Sequence, residues 1–423
     1  MNITAPHCLM VVNPGHFHAA LCLRARHSRL SDDVYVYAED GPELAAFIEI
    51  IEAYNRRGER PSEWRLHIYR GNDYLDRLVV ERPGDIAVIA GRNNDKMAAI
   101  KRMLSAGIHV LADKPLVIDR AALPQLSQSL AEPPLMMEIM TGRRETANRI
   151  AAALVERTDV FGSFDAASGR PAIEMTSTHH LWKLVNARPL IRPPWFFDVG
   201  IQGEGITDIS THLIDIAQWM IGDGTDEMEL ISARQWPTEI PLALFTEITG
   251  LDEFPRQLDA QINAGGLPYL CNGAFSCRIQ GIAVSAEVLW APRIPDGGGD
   301  SHRYRMGGTR GSVIVDHGSA TEFESVVVVT PVADGPTFRA ALTDAVEDLQ
   351  DEFPGLSVAA NGDGYVIDIP KPLRTTHEQH FAEVLDRFLN CVDSGQWPSH
   401  WETDVAKKYE LLIAAKELSH AST

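Results

Sequence analysis

Apolar residues fall in short runs separated by helical stretches through the first 140 residues. Beyond them the strand-like runs crowd together with few helices between. In the first part, residues 8–12, 34–37, 64–69, 85–90, 108–111 and 135–140 read as six strands. Residues 18–30, 42–54 and 95–106 read as helices. Pro42 stands near the start of the second, where its fixed φ suits a first turn, and Gly107 follows the third as a left-handed stop. Strands alternating with helices predict right-handed crossovers and a parallel sheet. Strands that are apolar throughout predict helices on both faces. Residues 1–140 are therefore expected to form a Rossmann-like, doubly wound α/β domain.

The remainder, 141–423, predicts an α+β domain with a large, mostly antiparallel sheet for substrate binding and oligomerisation. Its strand candidates are 161–167, 273–278, 283–290, 311–315 and 325–329. Its helices are 146–157, 209–221, 336–353, 378–392 and 405–419, and the C-terminal ones are free to pack back on the first domain. Residues 222–266 show no clear period and read as an insertion. His377 and His380, and the charges Lys407, Lys408, Glu410, Lys416 and Glu417, are expected on solvated helix faces.

Composition narrows the function classes. The chain has 423 residues, 45% apolar and 23% charged, which suits a soluble globular protein of two or three domains. A net charge of -20 speaks against nucleic acid and against an anionic membrane surface, both of which need basic clusters. The cysteines Cys8, Cys22, Cys271, Cys277 and Cys391 are odd in number and widely spaced, as in a reducing compartment. Neither a signal peptide nor a bilayer-length apolar run is present, so a cytoplasmic location is expected.

Ligands of open parallel sheets bind at the carboxyl ends of the strands. There the first turn reads Asn13-Pro14-Gly15-His16-Phe17-His18. It keeps one glycine of the G-x-G-x-x-G fingerprint, the one that lets the backbone approach a pyrophosphate, and Asn13 tolerates a left-handed turn. A plain strand-turn-helix is the alternative. Glu39 and Asp40 end the second strand, where a carboxylate binds ribose hydroxyls and disfavours a 2′-phosphate; either residue suits, and so does an ordinary polar turn. Asp113-Lys114-Pro115 ends the fifth strand and points a lysine at the ligand crevice. Farther on, Gly203-Glu204-Gly205 leads into a helix with Asp208 and His212 at i and i+4, on one face. Histidine is a natural proton acceptor near neutral pH, and a neighbouring carboxylate raises its basicity.

With these motifs the chain resembles the glucose–fructose oxidoreductase / inositol dehydrogenase (Gfo/Idh/MocA) family. Asp113-Lys114-Pro115 matches its E-K-P motif, and Asp208 and His212 match its D-x-x-x-H helix. The segments Thr178-His179-His180-Leu181-Trp182-Lys183, Arg192-Pro193-Pro194-Trp195-Phe196-Phe197-Asp198, Asn272-Gly273 and 297–302 are similar to the branch carrying what is called a "putative oxidoreductase C-terminal domain". The resemblance implies a catalytic trio. Lys114 lies by the nicotinamide and the substrate hydroxyl, His212 takes the proton, and Asp208 orients His212 or holds a second hydroxyl. It implies NAD, in preference to NADP, held by Asn13, Gly15, His16, Phe17, Glu39, Asp40, Gly91, Asn93, Asp113 and Lys114. Gly91-Arg92-Asn93 stands for the family's T-P-N turn, of which only Asn93 matches. His179, His180, Lys183, Trp195, Asp198 and His212 are expected at the substrate. The spacing of His179, His180, His212, Asp198 and Asp300 matches no compact metal motif, and no metal is expected.

Three functions follow from these residues. The first is net NAD-dependent oxidation of a secondary hydroxyl of a sugar, polyol or glycoside by a homodimer or homotetramer. The second is a redox-neutral enzyme that keeps its NAD and oxidises transiently, enabling elimination, glycoside cleavage or epimerisation. The third is a non-catalytic dehydrogenase-like binding protein, suggested by the degraded glycine fingerprint.

Overall fold

The computed structural model describes residues 6–131, 133–167, 169–185, 188–222, 224–295 and 297–421. Residues 1–5, part of the stretch read above as lacking a signal peptide, lie outside them. The chain forms two compact units. One comprises Met1–Thr141, Gly200–Gly203 and His377–Glu402; the other comprises Gly142–Val199, Glu204–Thr376 and Thr403–Thr423. Among the described residues no helix is long and apolar enough to cross a membrane.

The first unit carries strands β1 (His7–Val12), β2 (Leu30–Ala38), β3 (Arg65–Arg70), β4 (Ile86–Ile89), β5 (His109–Ala112) and β6 (Met136–Glu138). All pair in parallel, in the order β3-β2-β1-β4-β5-β6. That order reverses at β1, which puts a crevice beside the carboxyl ends of β1 and β4. Leu9, Val11, Val34, Val36, Val88 and Leu111 build one core with Phe381, Val384, Leu385 and Phe388 of the helix His377–Ser394. Each such side chain contributes about 1.5–3 kcal/mol on burial. His380 is buried on that helix, contrary to the surface position expected for it.

The helix expected over 18–30 is a single turn, His18–Leu21. Tertiary partners take the carbonyls that would have continued it. The Trp64 indole donates to Leu23 O at 2.6 Å, and Ser62 Oγ donates to Arg24 O at 3.2 Å. The run 95–106 holds the helix Lys96–Ser105, and Tyr74–Glu81 and Leu123–Leu130 complete two further crossovers.

The second unit carries β7 (Ile173–Trp182), the two-residue pair β8 (Leu184–Val185) and β9 (Arg188–Pro189), then β10 (Met228–Ile240), β11 (Leu267–Ile279), β12 (Ile282–Arg293), β13 (Ser301–Gly307), β14 (Gly311–His317), β15 (Val326–Pro331), β16 (Ser357–Asn361) and β17 (Gly364–Asp368). Nine of them form one sheet, β10-β11-β12-β7-β13-β14-β15-β17-β16, in which only β7 and β12 run parallel. The expected strand 161–167 is not formed. Phe164 makes one isolated bridge to Gly308, because Gly162 takes φ +82° and ends the extended run. Residues 222–266 are not a structureless insertion. They supply the edge strand β10 and the helix Leu242–Thr249. An edge strand with few buried positions shows little apolar alternation, which hid it. The final helix, Trp401–Ala421, does not present all its charges to solvent. Lys408 is 1% exposed, with Nζ 3.8 Å from Asp215.

Candidate active site

In the first unit the turn after β1 lies between the ends of β2 and β4. Asn13 N donates to Tyr37 O at 2.9 Å, and His16 N donates to Ala90 O at 3.0 Å. Asn13 takes φ +40°, the left-handed turn that its side chain allows. Gly91 backs onto this turn. A Cβ there would lie 2.7 Å from Asn13 O, so the position admits only glycine. Tyr74, which motif reading missed, bonds the Asn13 side chain. Glu39 reaches Arg92 at 3.7 Å, and Glu43 reaches the same guanidinium at 3.7 Å. Asp40 instead pairs with Arg70 at the end of β3, at 3.3 Å. The Asn93 Nδ2 donates to Gln202 O at 2.6 Å, whereas its buried Oδ1 has no hydrogen-bond partner among the described residues.

Asp113, at the end of β5, is buried and accepts from two histidines of the first turn. His16 Nδ1 lies 3.0 Å from Oδ2, and His18 Nδ1 lies 2.9 Å from Oδ1. Burial opposes the Asp113 charge, but the two imidazoles hold its pKa well below the usual carboxylate range. Burial pushes His18 the other way, down to about 3, against the pull of Asp113. The pair therefore sits as carboxylate and neutral imidazole near neutral pH. The three ligand atoms of His16, His18 and Asp113 are also close enough together to hold a metal ion. Their mutual hydrogen bonds already satisfy them.

Lys114 follows, half-buried. Its flanking carbonyls are both taken by Lys96, whose Nζ donates to Asp113 O at 2.7 Å and to Pro115 O at 3.0 Å. A lysine in an amphipathic helix reads as surface, so pattern gave no sign of this role.

In the second unit, Gly203 takes φ +96° and Gly205 packs so tightly on β11 that a Cβ would meet Cys271 O at 1.9 Å. The short helix Gly205–Asp208 runs through a helical Ile209 into Ser210–Ile221, so Asp208 and His212 keep i, i+4 spacing. Asp208 is buried and His212 half-buried. Glu204 is fastened by Gln235 Nε2 at 2.7 Å and His420 Nε2 at 2.9 Å.

Asp300 gathers three of the expected substrate residues. His180 N and Nδ1 each lie 3.1 Å from Oδ1, His179 Nδ1 is 3.4 Å from Oδ2, and Lys183 Nζ donates to Oδ2. Burial opposes the charge of Asp300, but these partners hold its pKa far below the ordinary range. Residues 120 positions apart meet here because β7 and β13 are neighbours in the sheet. Arg192, also missed, is buried under this cluster. It donates to Leu181 O at 3.0 Å and His180 O at 3.1 Å, and it stacks 4.5 Å over Phe196. Trp195 is buried beside Phe196 and Phe197, which pack on Tyr269. Asp198 is half-buried, with its N–H donating to Trp195 O at 3.0 Å.

Residues 150–420 match the family described as "Putative oxidoreductase C terminal domain". A solved structure described as a putative oxidoreductase from Parabacteroides merdae is 34% identical to this chain, covers 99% of both chains and superposes with a TM-score of 0.95. The chain belongs to the Gfo/Idh/MocA oxidoreductases. Within that family it falls in the branch with this C-terminal domain, and it is an oxidoreductase.

More distant Gfo/Idh/MocA oxidoreductases share the fold. Levoglucosan dehydrogenase, solved with NADH and levoglucosan, is 17% identical over 99% of this chain and 98% of its own, with a TM-score of 0.63. The 3-ketoreductase KijD10 from Actinomadura kijaniata, solved with NADP and TDP-benzene, is 14% identical over 97% of each chain, with a TM-score of 0.60. No functionally curated protein matches the chain. Against the family pattern, this oxidoreductase replaces the motif glutamate by Asp113 and two turn glycines by Asn13 and His18. The last exchange meets the first: the buried imidazole of His18 bonds the Asp113 carboxylate, Nδ1 lying 2.9 Å from Oδ1.

Proposed function

We propose that this oxidoreductase oxidises a secondary hydroxyl of a sugar, polyol or glycoside, with NAD as acceptor. The observation that carries the reading is Lys114, fastened at the carboxyl end of β5 beside a turn with a left-handed Asn13. The residues fit a dinucleotide. Gly91 leaves the turn backbone uncovered, and Asn93 Oδ1 is a buried acceptor in need of a donor. Glu39 and Glu43 outnumber Arg92, so the ground beyond β2 is acidic and favours ribose hydroxyls over a 2′-phosphate. Glu39 is the better ribose ligand, because its contact with Arg92 at 3.7 Å is looser than that of Asp40 with Arg70 at 3.3 Å.

When bound, NAD would supply the acceptor for the carbon-bound hydrogen and its electron pair. His212 takes the hydroxyl proton, and Asp208 stabilises the imidazolium that results. The Lys114 ammonium donates to the substrate oxygen as negative charge grows there. His179, His180 and Lys183, ordered by Asp300, hold further hydroxyls. Their fixed polar groups suit a sugar-like molecule, as does the levoglucosan of the dehydrogenase relative.

The test begins with freshly purified protein, denatured and examined by mass spectrometry for NAD or NADP, followed by NAD titration and a screen of sugars and polyols. Stoichiometric NADH, abolished by Lys114→Ala, is the expected result. Turnover with retained NAD and no NADH would overturn net oxidation in favour of a transient one. Neither binding nor turnover would leave a binding protein.

A further inference from the structure

An ordinary dinucleotide turn offsets pyrophosphate charge with the N-terminal dipole of a long helix. Here that helix is four residues, His18–Leu21, and its end cannot supply the same field. Two histidines stand where the turn meets it. His18 is buried and bound to Asp113 Oδ1 at 2.9 Å. His16 is bound through Nδ1 to Oδ2 at 3.0 Å, while its side chain keeps 26% exposure. Carboxylate pairing at Nδ1 fixes the ring and its tautomer and leaves the opposite nitrogen for a ligand, as in a carboxylate–histidine pair.

We infer that His16 is the pyrophosphate ligand of this protein, held in place by Asp113, and that the two replace the truncated helix. Asp113 is then a positioning residue that acts through His16, and His18 anchors the same carboxylate from the core side. With Nδ1–H given to the carboxylate, Nε2 is the nitrogen left to meet a phosphate oxygen, and a proton on it does there what backbone N–H groups do elsewhere. The inference rests on the dinucleotide reading above and says which part of that molecule the histidine holds.

Calorimetric titration with NADH and with ADP-ribose separates the possibilities. ADP-ribose keeps the pyrophosphate and lacks the nicotinamide. His16→Ala should weaken both ligands alike, by roughly tenfold or more, as expected for loss of a charge-assisted hydrogen bond. His16→Gln keeps size and a neutral donor and should fall between. Asp113→Asn should weaken ADP-ribose too, and adding it to His16→Ala should cost nothing further, since its effect passes through that ring. If Asp113→Asn does not fold, the His16 pair decides alone, because that side chain is partly exposed. Loss with NADH but not with ADP-ribose would overturn the inference, as would unchanged affinities in the His16 variants. A wild-type protein that binds neither NADH, NADPH nor ADP-ribose would instead remove the dinucleotide reading itself.

Discussion

Lys96 donates from its buried ammonium to the carbonyl oxygen of Asp113 at 2.7 Å, inside the segment that carries Lys114. It reaches Pro115 O as well, so one cation brackets Lys114 on both sides. Lys96→Met keeps the stem and removes the charge. Each buried carbonyl left unpaired costs about 1–3 kcal/mol. We expect a lower urea midpoint and a loss of turnover at least tenfold greater than any change in NADH affinity. An unchanged kcat would show that Lys96 does not position Lys114.

Asp300 ties His179, His180 and Lys183 together. Its folded pKa lies below the ordinary carboxylate value of about 3.9. Its stabilisation is therefore complete above that value and is lost as acid protonates the folded state. Asp300→Asn should destabilise the protein at pH 7 by roughly 1–3 kcal/mol, reduced because the side chain is 27% exposed. The gap from wild type should begin to narrow below about pH 4, where the unfolded carboxylate takes up its proton, and close only in stronger acid. Thermal melts at pH 7 and pH 3.5 check this; equal gaps at both would refute it.

Burial lowers His18 to about 3, whereas an unfolded histidine titrates near 6.5. Between these values the unfolded chain binds the extra proton, so stability falls as pH drops from about 6.5. The slope attributable to one group is at most about 1.4 kcal/mol per pH unit. His18→Phe should flatten the curve between pH 6.5 and pH 4.5. A wild-type curve no steeper than that of the variant would exclude the effect.

Asp215 is buried between Arg143, whose Nε lies 2.8 Å away, and Lys408 at 3.8 Å. Removing one charge from such a group leaves the others uncompensated, at roughly 3–5 kcal/mol. Asp215→Asn should therefore shift the guanidinium midpoint strongly downward. A midpoint within error of wild type would mean that solvent reaches the cluster.

Most of the six parallel strands were legible as apolar runs between turn residues, the pattern a doubly wound sheet demands, and β3 was legible by its alternation. The candidate site was legible where the proposed chemistry lies in one short stretch: Asp113-Lys114-Pro115, Asp208 with His212, and the left-handed Asn13. Local order failed where partners come from afar. Residues 18–30 have helix-forming composition, yet Trp64 and Ser62 take the carbonyls of Leu23 and Arg24. Edge position hid β10 for another reason: only Ile240 at its end is buried, so little apolar alternation is imposed on it.

By itself, then, the sequence determined the parallel first sheet, the larger second one and the order of the motifs proposed to be catalytic, since apolar spacing and short motifs act over a few residues. Only the tertiary structure decided that Lys96 and Lys408 are interior cations, that Asp113 serves two histidines, and that Asp300 organises His179, His180 and Lys183. A buried charge is stable only where distant partners meet it, and those partners are chosen by the fold and not by neighbours along the chain.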